Sequence, residues 1–239
     1  MDDDGNRTSV VTTPYGQSAA TVSYTANSLS QYTAVGGASP THDANGNVLD
    51  NGVYKFKYNY RNLICEARLS SNNNLVATHA YDSLGRRVGK VVSGGATTRF
   101  VLSGLETVET YDGANNWKQT FLFGQDLDDI LVLEQADVLD YDADTNTSET
   151  TRSFYHRNAV GSVTVMTDVN NGQVCHLRYE PFGDRIITRG GSLQSSDPLA
   201  QNLAFTARAF DEETSTYYYR ARYYASEWGR FLARDPCGV

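Results

Sequence analysis

Lysine is scarce. Only Lys55, Lys57, Lys90 and Lys118 stand beside sixteen arginines in a 239-residue chain whose formal net charge is −8. Binding a phosphate backbone relies on clustered basic residues and the counterions they release, so this balance argues against DNA or RNA as a partner. Cysteine is sparse as well. Cys65, Cys175 and Cys237 lie far apart, with no CxxC and no Cys/His grouping, which favours free thiols over a zinc site or a disulfide framework. Between Thr41 and Glu180 there is no proline. A stretch of that length in which every amide can donate suits a hydrogen-bonded sheet.

Long apolar runs are missing too, so no segment reads as a membrane-spanning helix. The start, MDDDGNRTSVVTT, is acidic and lacks the apolar core of a secretory signal peptide. Membrane insertion is not expected, and residues 1–17 read as disordered or as a partial strand. His42, His79, His156 and His176 are scattered, with no HExxH spacing and no G-x-S-x-G elbow, and are assigned to structure. Asp142-Ala143-Asp144-Thr145-Asn146 opens like a calcium loop. Thr147 stands where Gly is wanted and Ser153 where a bidentate Glu is wanted, so the segment reads as a solvated acidic tip. Asp126, Asp128, Asp129, Glu134, Asp137 and Asp140 read as surface charge. No metal and no cofactor is expected.

Tyrosine is abundant, with 16 residues. Its large ring and polar tip predict a Tyr-lined sheet rather than an aliphatic core, and the choice of Arg over Lys fits stacking on those rings. The densest block, 217–236, holds seven aromatic residues and four arginines. Read as one strand, it puts Tyr217, Tyr219, Ala221 and Tyr223 on one face and Tyr218, Arg220, Arg222 and Tyr224 on the other. Trp228-Gly229 supplies a turn, and Arg230-Phe231-Leu232 resumes an extended run toward Arg234-Asp235-Pro236.

A degenerate repeat runs upstream. Tyr81-Asp82-Ser83-Leu84-Gly85-Arg86 places Asp at the first position of a type I turn and Gly three residues later, where a positive φ costs little. Alternating residues flank it, so a hairpin is predicted. Related units begin at His42, Tyr58, Tyr111, Tyr179 and Phe210, at irregular intervals. Such self-similarity points to stacked hairpins, each burying its face against its neighbours. The window 127–139 reads as extended, and 190–198 as a long surface loop.

The block 217–236 and the segments YDSLGRRV, YDGANN, RYEPFGD and FTARAFDEETSTYYYRARYY resemble the Rhs repeat-associated core. That YD-repeat shell is shared by bacterial polymorphic toxins, insecticidal toxin complexes and teneurins. The resemblance covers residues 18–239, with the closing signature at 203–239. Its structural marks are Tyr81, Asp82, Gly85, Arg86, Tyr218, Tyr219, Arg220, Arg222, Tyr223, Tyr224, Gly229, Arg230, Phe231, Asp235 and Pro236. Glu180, Phe210, Ser215 and Ala225-Ser226 depart from the usual pattern. What the resemblance implies is an all-β, curved sheet of stacked antiparallel hairpins without enzymatic activity. Such a segment encloses and presents a C-terminal toxin or effector domain together with the remaining shell, and is secreted or surface-exposed as part of a larger protein. The resemblance also implies that Asp235, with Arg234, becomes part of an aspartyl autoprotease in a longer core that supplies a second Asp. A third reading, from the residues alone, is an adhesion module that stacks carbohydrate on exposed tyrosines.

Overall fold

The structure, a computed structural model, describes residues 1–12, 20–136, 150–169, 172–196 and 202–236. Among these residues the regular structure is β, apart from a single 3-10 turn at Phe205–Ala207, and none of the described segments is a helix able to cross a membrane. The expected all-β architecture of stacked antiparallel hairpins is what the chain adopts. The candidate calcium loop 142–146, with Asp137, Asp140 and Cys237, lies outside the described residues.

Strands β1 (Ser9–Thr12), β2 (Ala20–Ala26) and β3 (Tyr32–Val35) form a small antiparallel sheet. The main ladder opens with β4 (Thr41–His42), β5 (Val48–Asp50), β6 (Tyr54–Tyr58), β7 (Ile64–Leu69) and β8 (Leu75–Tyr81). It continues through β9 (Arg87–Val92), β10 (Thr97–Ser103), β11 (Glu106–Asp112), β12 (Trp117–Phe123) and β13 (Ile130–Ala136). It ends with β14 (Thr150–Arg157), β15 (Val163–Asp168), β16 (Gln173–Tyr179), β17 (Arg185–Arg189) and β18 (Ser192–Gln194). These fifteen strands neighbour one another in sequence order, so every connection is a hairpin. A third sheet consists of β19 (Ala209–Asp211), β20 (Thr216–Tyr218), β21 (Tyr223–Ala225) and β22 (Arg230–Phe231). The segment 190–198, expected as a loop, therefore contains a strand: a Gly190-Gly191 tip with both φ positive turns β18 back onto β17.

One device builds the tips. Eight of them, starting at Asp2, Asn27, Asp43, Asn59, Asp82, Asp112, Asn158 and Glu180, share two backbone bonds. The first residue's amide donates to the carbonyl four residues on, and the fourth residue's amide donates back to the first residue's carbonyl. In each, the fourth residue has a positive φ; it is Gly at five tips, Asn at two and Ser30 at one. This is a type I turn followed by a left-handed residue that closes a bulge. At Asp2, Asn27, Asn59, Asp82, Asp112 and Asn158 the side-chain oxygen also accepts from the amides two and four residues on, so the first residue caps its own turn.

The chain divides into two compact units, Met1–Val76 with Leu232–Val239, and Ala77–Phe231. In the first, buried Tyr24, Tyr32, Val48, Phe56, Ile64 and Leu232 form the interior. Leu232 is tied in by its carbonyl, which accepts from the Val48 amide at 2.8 Å and the Tyr58 hydroxyl at 3.3 Å. In the second unit, Phe121, Ile130, Leu133, Val163, Met166 and Leu177 present one face of the ladder to Phe210 and Tyr217 of the third sheet. The core is thus mainly aliphatic on the ladder side, with Phe121 and Tyr155 among it, and aromatic on the other, instead of the wholly Tyr-lined interior expected. Tyrosine concentrates where the two layers meet, because its hydroxyl can reach the tip carbonyls that an aliphatic side chain would leave unpaired.

Two tip glycines separate backbone strain from steric conflict. Gly161 has φ +79° and open space around a built Cβ, whereas at Gly183, φ +94°, a Cβ would lie 2.7 Å from the Phe205 ring. Gly161→Ala should cost roughly 1–2 kcal/mol and Gly183→Ala roughly 2–5 kcal/mol of unfolding free energy. Urea denaturation measures both, and equal losses at the two sites would contradict this assignment.

Candidate functional site

The signature does not run as one strand. A two-residue loop, Arg220-Ala221, reverses the chain between β20 and β21, pairing Tyr217 with Tyr224 and Tyr218 with Tyr223. The Tyr219 amide donates to the Arg222 carbonyl at 2.8 Å, and Arg220 takes a φ of +62°. The expected division into two faces is therefore replaced by a hairpin. The run of Tyr and Arg carries no turn residue of its own, and the turn is stabilised from outside: Arg220 reaches the Leu105 carbonyl at 3.0 Å and pairs with Asp128. The second expected turn is present, with Gly229 at φ +63° between β21 and β22.

This four-stranded sheet lies against the ladder through contacts that fall on one hairpin tip after another. Tyr81 and Tyr223 share a hydroxyl–hydroxyl bond of 3.1 Å, and the Arg87 amide donates to the Tyr218 hydroxyl at 3.0 Å. Asp128, in the β12–β13 tip, receives Arg208 through two bonds of 2.8 and 2.7 Å and Arg220 as well. Next to it, Asp129 pairs with Arg157. These two carboxylates, expected as surface charge, are half-buried partners of three arginines. At the β14–β15 tip the Thr206 amide donates to Ser162 Oγ at 2.9 Å. The Tyr217 and Tyr224 hydroxyls donate to the Gly183 and Phe182 carbonyls at 2.7 and 3.0 Å.

At the centre sits a buried charge cluster. Arg87 Nη1 lies 2.5 Å from Asp211 Oδ2, and the two side chains are 2% and 0% exposed. Lys90 Nζ lies 2.9 Å from Asp211 Oδ1 and 3.1 Å from Glu213 Oε1. The guanidinium of Arg87 stacks 4.2 Å from the Tyr218 ring centroid and 5.0 Å from that of Phe100, a desolvated cation–π sandwich. Burial alone would raise the Asp211 carboxyl, but Arg87 and Lys90 outweigh it and hold the group below the ordinary carboxylate value. Glu213 goes the other way, raised by burial and by Asp211. His79 packs its ring 5.5 Å from that of Tyr223, and its Nδ1 has no hydrogen-bond partner. Burial pushes the imidazole down to about 3, with Arg87 and Lys90 reinforcing and Asp211 opposing the shift. With His79 neutral, two cations face two carboxylates and the cluster balances.

Of these residues, sequence patterning singled out Tyr81, Tyr218 and Tyr223 and missed Arg87, Lys90, His79 and Glu213. Arg86, which it did mark, is a tip residue that pairs with Asp82 and bonds the Gly104 carbonyl. The available signal was Asp211. Unlike Asp2, Asp43, Asp82 and Asp112, it does not cap its own turn; its carboxylate is spent on Arg87 and Lys90. Arg234 and Asp235 are exposed at the end of the described chain. The signature tyrosines pack on one another, with Tyr217 and Tyr223 buried and Tyr219, Tyr224 and Phe231 in mutual edge contact, whereas Tyr60 is exposed. No group of three or more His, Cys, Asp and Glu suited to a metal ion occurs among the described residues.

Acid should open this cluster. A histidine whose folded value lies below its unfolded value near 6.5 contributes stability that is present above 6.5 and lost as pH falls toward 3, because only the unfolded chain takes up the proton. Asp211 adds loss of the same sign at lower pH, while Glu213 offsets part of it. Urea-unfolding free energy should drop by several kcal/mol, order of magnitude, between pH 7 and 4, and His79→Phe should flatten that slope. Identical slopes in the two proteins would contradict the account.

Comparison with known proteins places these features in context. The teneurin YD-shell family matches residues 1–237. The tRNA3(Ser)-specific nuclease WapA of Bacillus spizizenii is 28% identical over 234 residues, and the tRNA nuclease WapA of Bacillus subtilis 29% over the same length. Each alignment takes in 97% of this chain but only 9% of the relative. Among solved structures, the TcdB2-TccC3-Cdc42 complex superposes with a TM-score of 0.76 at 18% identity, over 100% of this chain and 12% of the other. The identity is low, and the likeness shows a shared fold.

Proposed function

The chain belongs to the teneurin YD-shell family, and on that premise we propose that it is a non-enzymatic wall segment of a larger shell enclosing a C-terminal toxin or effector domain. The full polypeptide would be delivered outside the producing cell, with the remaining shell and the enclosed domain as this segment's partners. The observation that carries the reading is the clamp of the unit Ala77–Phe231. A sheet made from the signature is bonded to successive hairpin tips and anchored by a charge cluster with almost no solvent access. The ion pairs and tyrosine hydroxyls of that arrangement are engaged in holding two layers together. Containment needs that kind of rigidity, because each hairpin leaves its neighbours' edges covered and the signature sheet keeps the tips from fraying.

Length supports the same reading. The relatives are far longer than this segment, which spans 9% of them, and they are named as nucleases as whole proteins. On this reading, catalytic activity resides in an enclosed domain and not in the wall.

The test uses the full-length polypeptide with a protease-sensitive reporter joined after position 239. A containing shell leaves the reporter intact in proteinase K under conditions that digest the same reporter fused to an unrelated domain. Cleavage at the same rate in both would remove the containment reading.

A further inference from the structure

Hairpin connections of a meander alternate between two edges. In the unit Ala77–Phe231 the tips that follow β8, β10, β12, β14 and β16 therefore share one edge. Each of the five carries an exposed apolar side chain: Leu84, Leu105, Leu127, Val160 and Phe182, between 37% and 70% exposed. On the opposite edge the fully described tips are Gly94-Gly95, Gly113-Ala114 and Gly190-Gly191, the connection 137–149 lying outside the described residues, and at the described tip positions only Val169 is large and apolar. Scattered exposed apolar residues need no explanation, but one at every tip of a single edge forms a collar.

The charges along that edge are one-sided. Its arginines are committed, Arg86 to Asp82, Arg157 to Asp129, and Arg208 and Arg220 to Asp128. Asp126, Glu180 and Asp184 are exposed and pair with no cation among the described residues. The collar is thus apolar and acidic, which disfavours a second copy of this −8 chain and an anionic lipid surface alike. Spacing narrows the partner further. Adjacent tips on one edge are two strands apart, about 10 Å at the usual strand separation. An extended segment returns the same face at about 7 or 13 Å, whereas a helix returns it after seven residues, about 10.5 Å.

We propose that this collar is a docking surface for a basic amphipathic helix, whose apolar residues at heptad spacing seat on Leu84, Leu105, Leu127, Val160 and Phe182 while its Lys or Arg residues meet Asp126, Glu180 and Asp184. The surface lies within one unit and stands whether or not the shell encloses cargo.

The probe is a fluorescent 29-residue Leu/Lys amphipathic helix, about long enough to reach all five tips at heptad spacing, titrated against the whole chain, with a Leu/Glu counterpart and with neutral and anionic vesicles as alternatives. Saturable binding of the Leu/Lys peptide is expected, weakening as salt rises. The triple variant Leu84→Ser/Leu127→Ser/Val160→Ser should lose at least tenfold in affinity, and so should Asp126→Lys/Glu180→Lys/Asp184→Lys, with circular dichroism confirming that both stay folded. Unchanged affinity in either variant overturns the proposal. So does equal binding of the Leu/Glu peptide, vesicle binding that the Ser variant abolishes, or self-association of the wild type that the Ser variant abolishes.

Discussion

The pairing of Arg87 with Asp211 is the constraint on which the rest of the larger unit depends. Removing a guanidinium and a carboxylate from water costs several kcal/mol per ion, and that cost is met only where geometry is good and the remaining polar atoms are satisfied. Here the geometry is good and both oxygens of Asp211 are met, while His79 Nδ1 stays without a hydrogen-bond partner. Asp211 accepts from Arg87 and Lys90, Arg87 is sandwiched between Phe100 and Tyr218, and Glu213 neutralises the second cation. An arrangement so specific excludes alternative registers. Sliding β19 against β8 and β9 by one residue would leave two cations and a carboxylate buried without partners. A buried pair of this kind selects one packing of signature on ladder, whatever it adds to net stability.

Around that centre, the remaining contacts work as local supports. Tip carbonyls of Leu105, Phe182 and Gly183 point toward the signature sheet and are met by Arg220, Tyr224 and Tyr217. Buried carbonyls without donors would penalise closure, so tyrosine at these positions serves packing and hydrogen bonding together. Asp128 is the second anchor: a tip residue held at φ +65° whose carboxylate gathers two arginines from the signature region. The self-capped hairpin tips preset the ladder, and the clamp holds it.

Much of the fold was legible in the residues. Asp82 and Gly85 specify their turn by chemistry, and the same logic locates the tips at Asp43, Asn59 and Asp112. Tips at Asp2, Asn27 and Asn158 were missed because no aromatic residue precedes them and, at two, Asn replaces Asp; at Asn27 the left-handed residue is Ser30, which φ preference alone would not select. The signature hairpin was read as a single strand because residues 217–224 contain no Gly, Pro, Asn or Asp to mark a turn. What turns the chain there is Asp128, nearly a hundred positions earlier, and no local pattern encodes such a contact. Arg87 escaped notice for a related reason. An irregular register between β8 and β9 sets Tyr81 opposite Arg87, so the inward-facing arginine is the second of the pair and not the tip residue beside it.

The central claim is that the buried charge pair holds the signature sheet to the ladder as one unit. Amide hydrogen exchange of Asp211→Asn against the wild type tests it most directly. If the claim is right, amides of β19, β20 and β21 lose most of their protection in the variant while β13 to β16 keep theirs, because the ladder's own hydrogen bonds remain. Unchanged protection across β19 to β21 would contradict it, since the sheet would then be held without the pair.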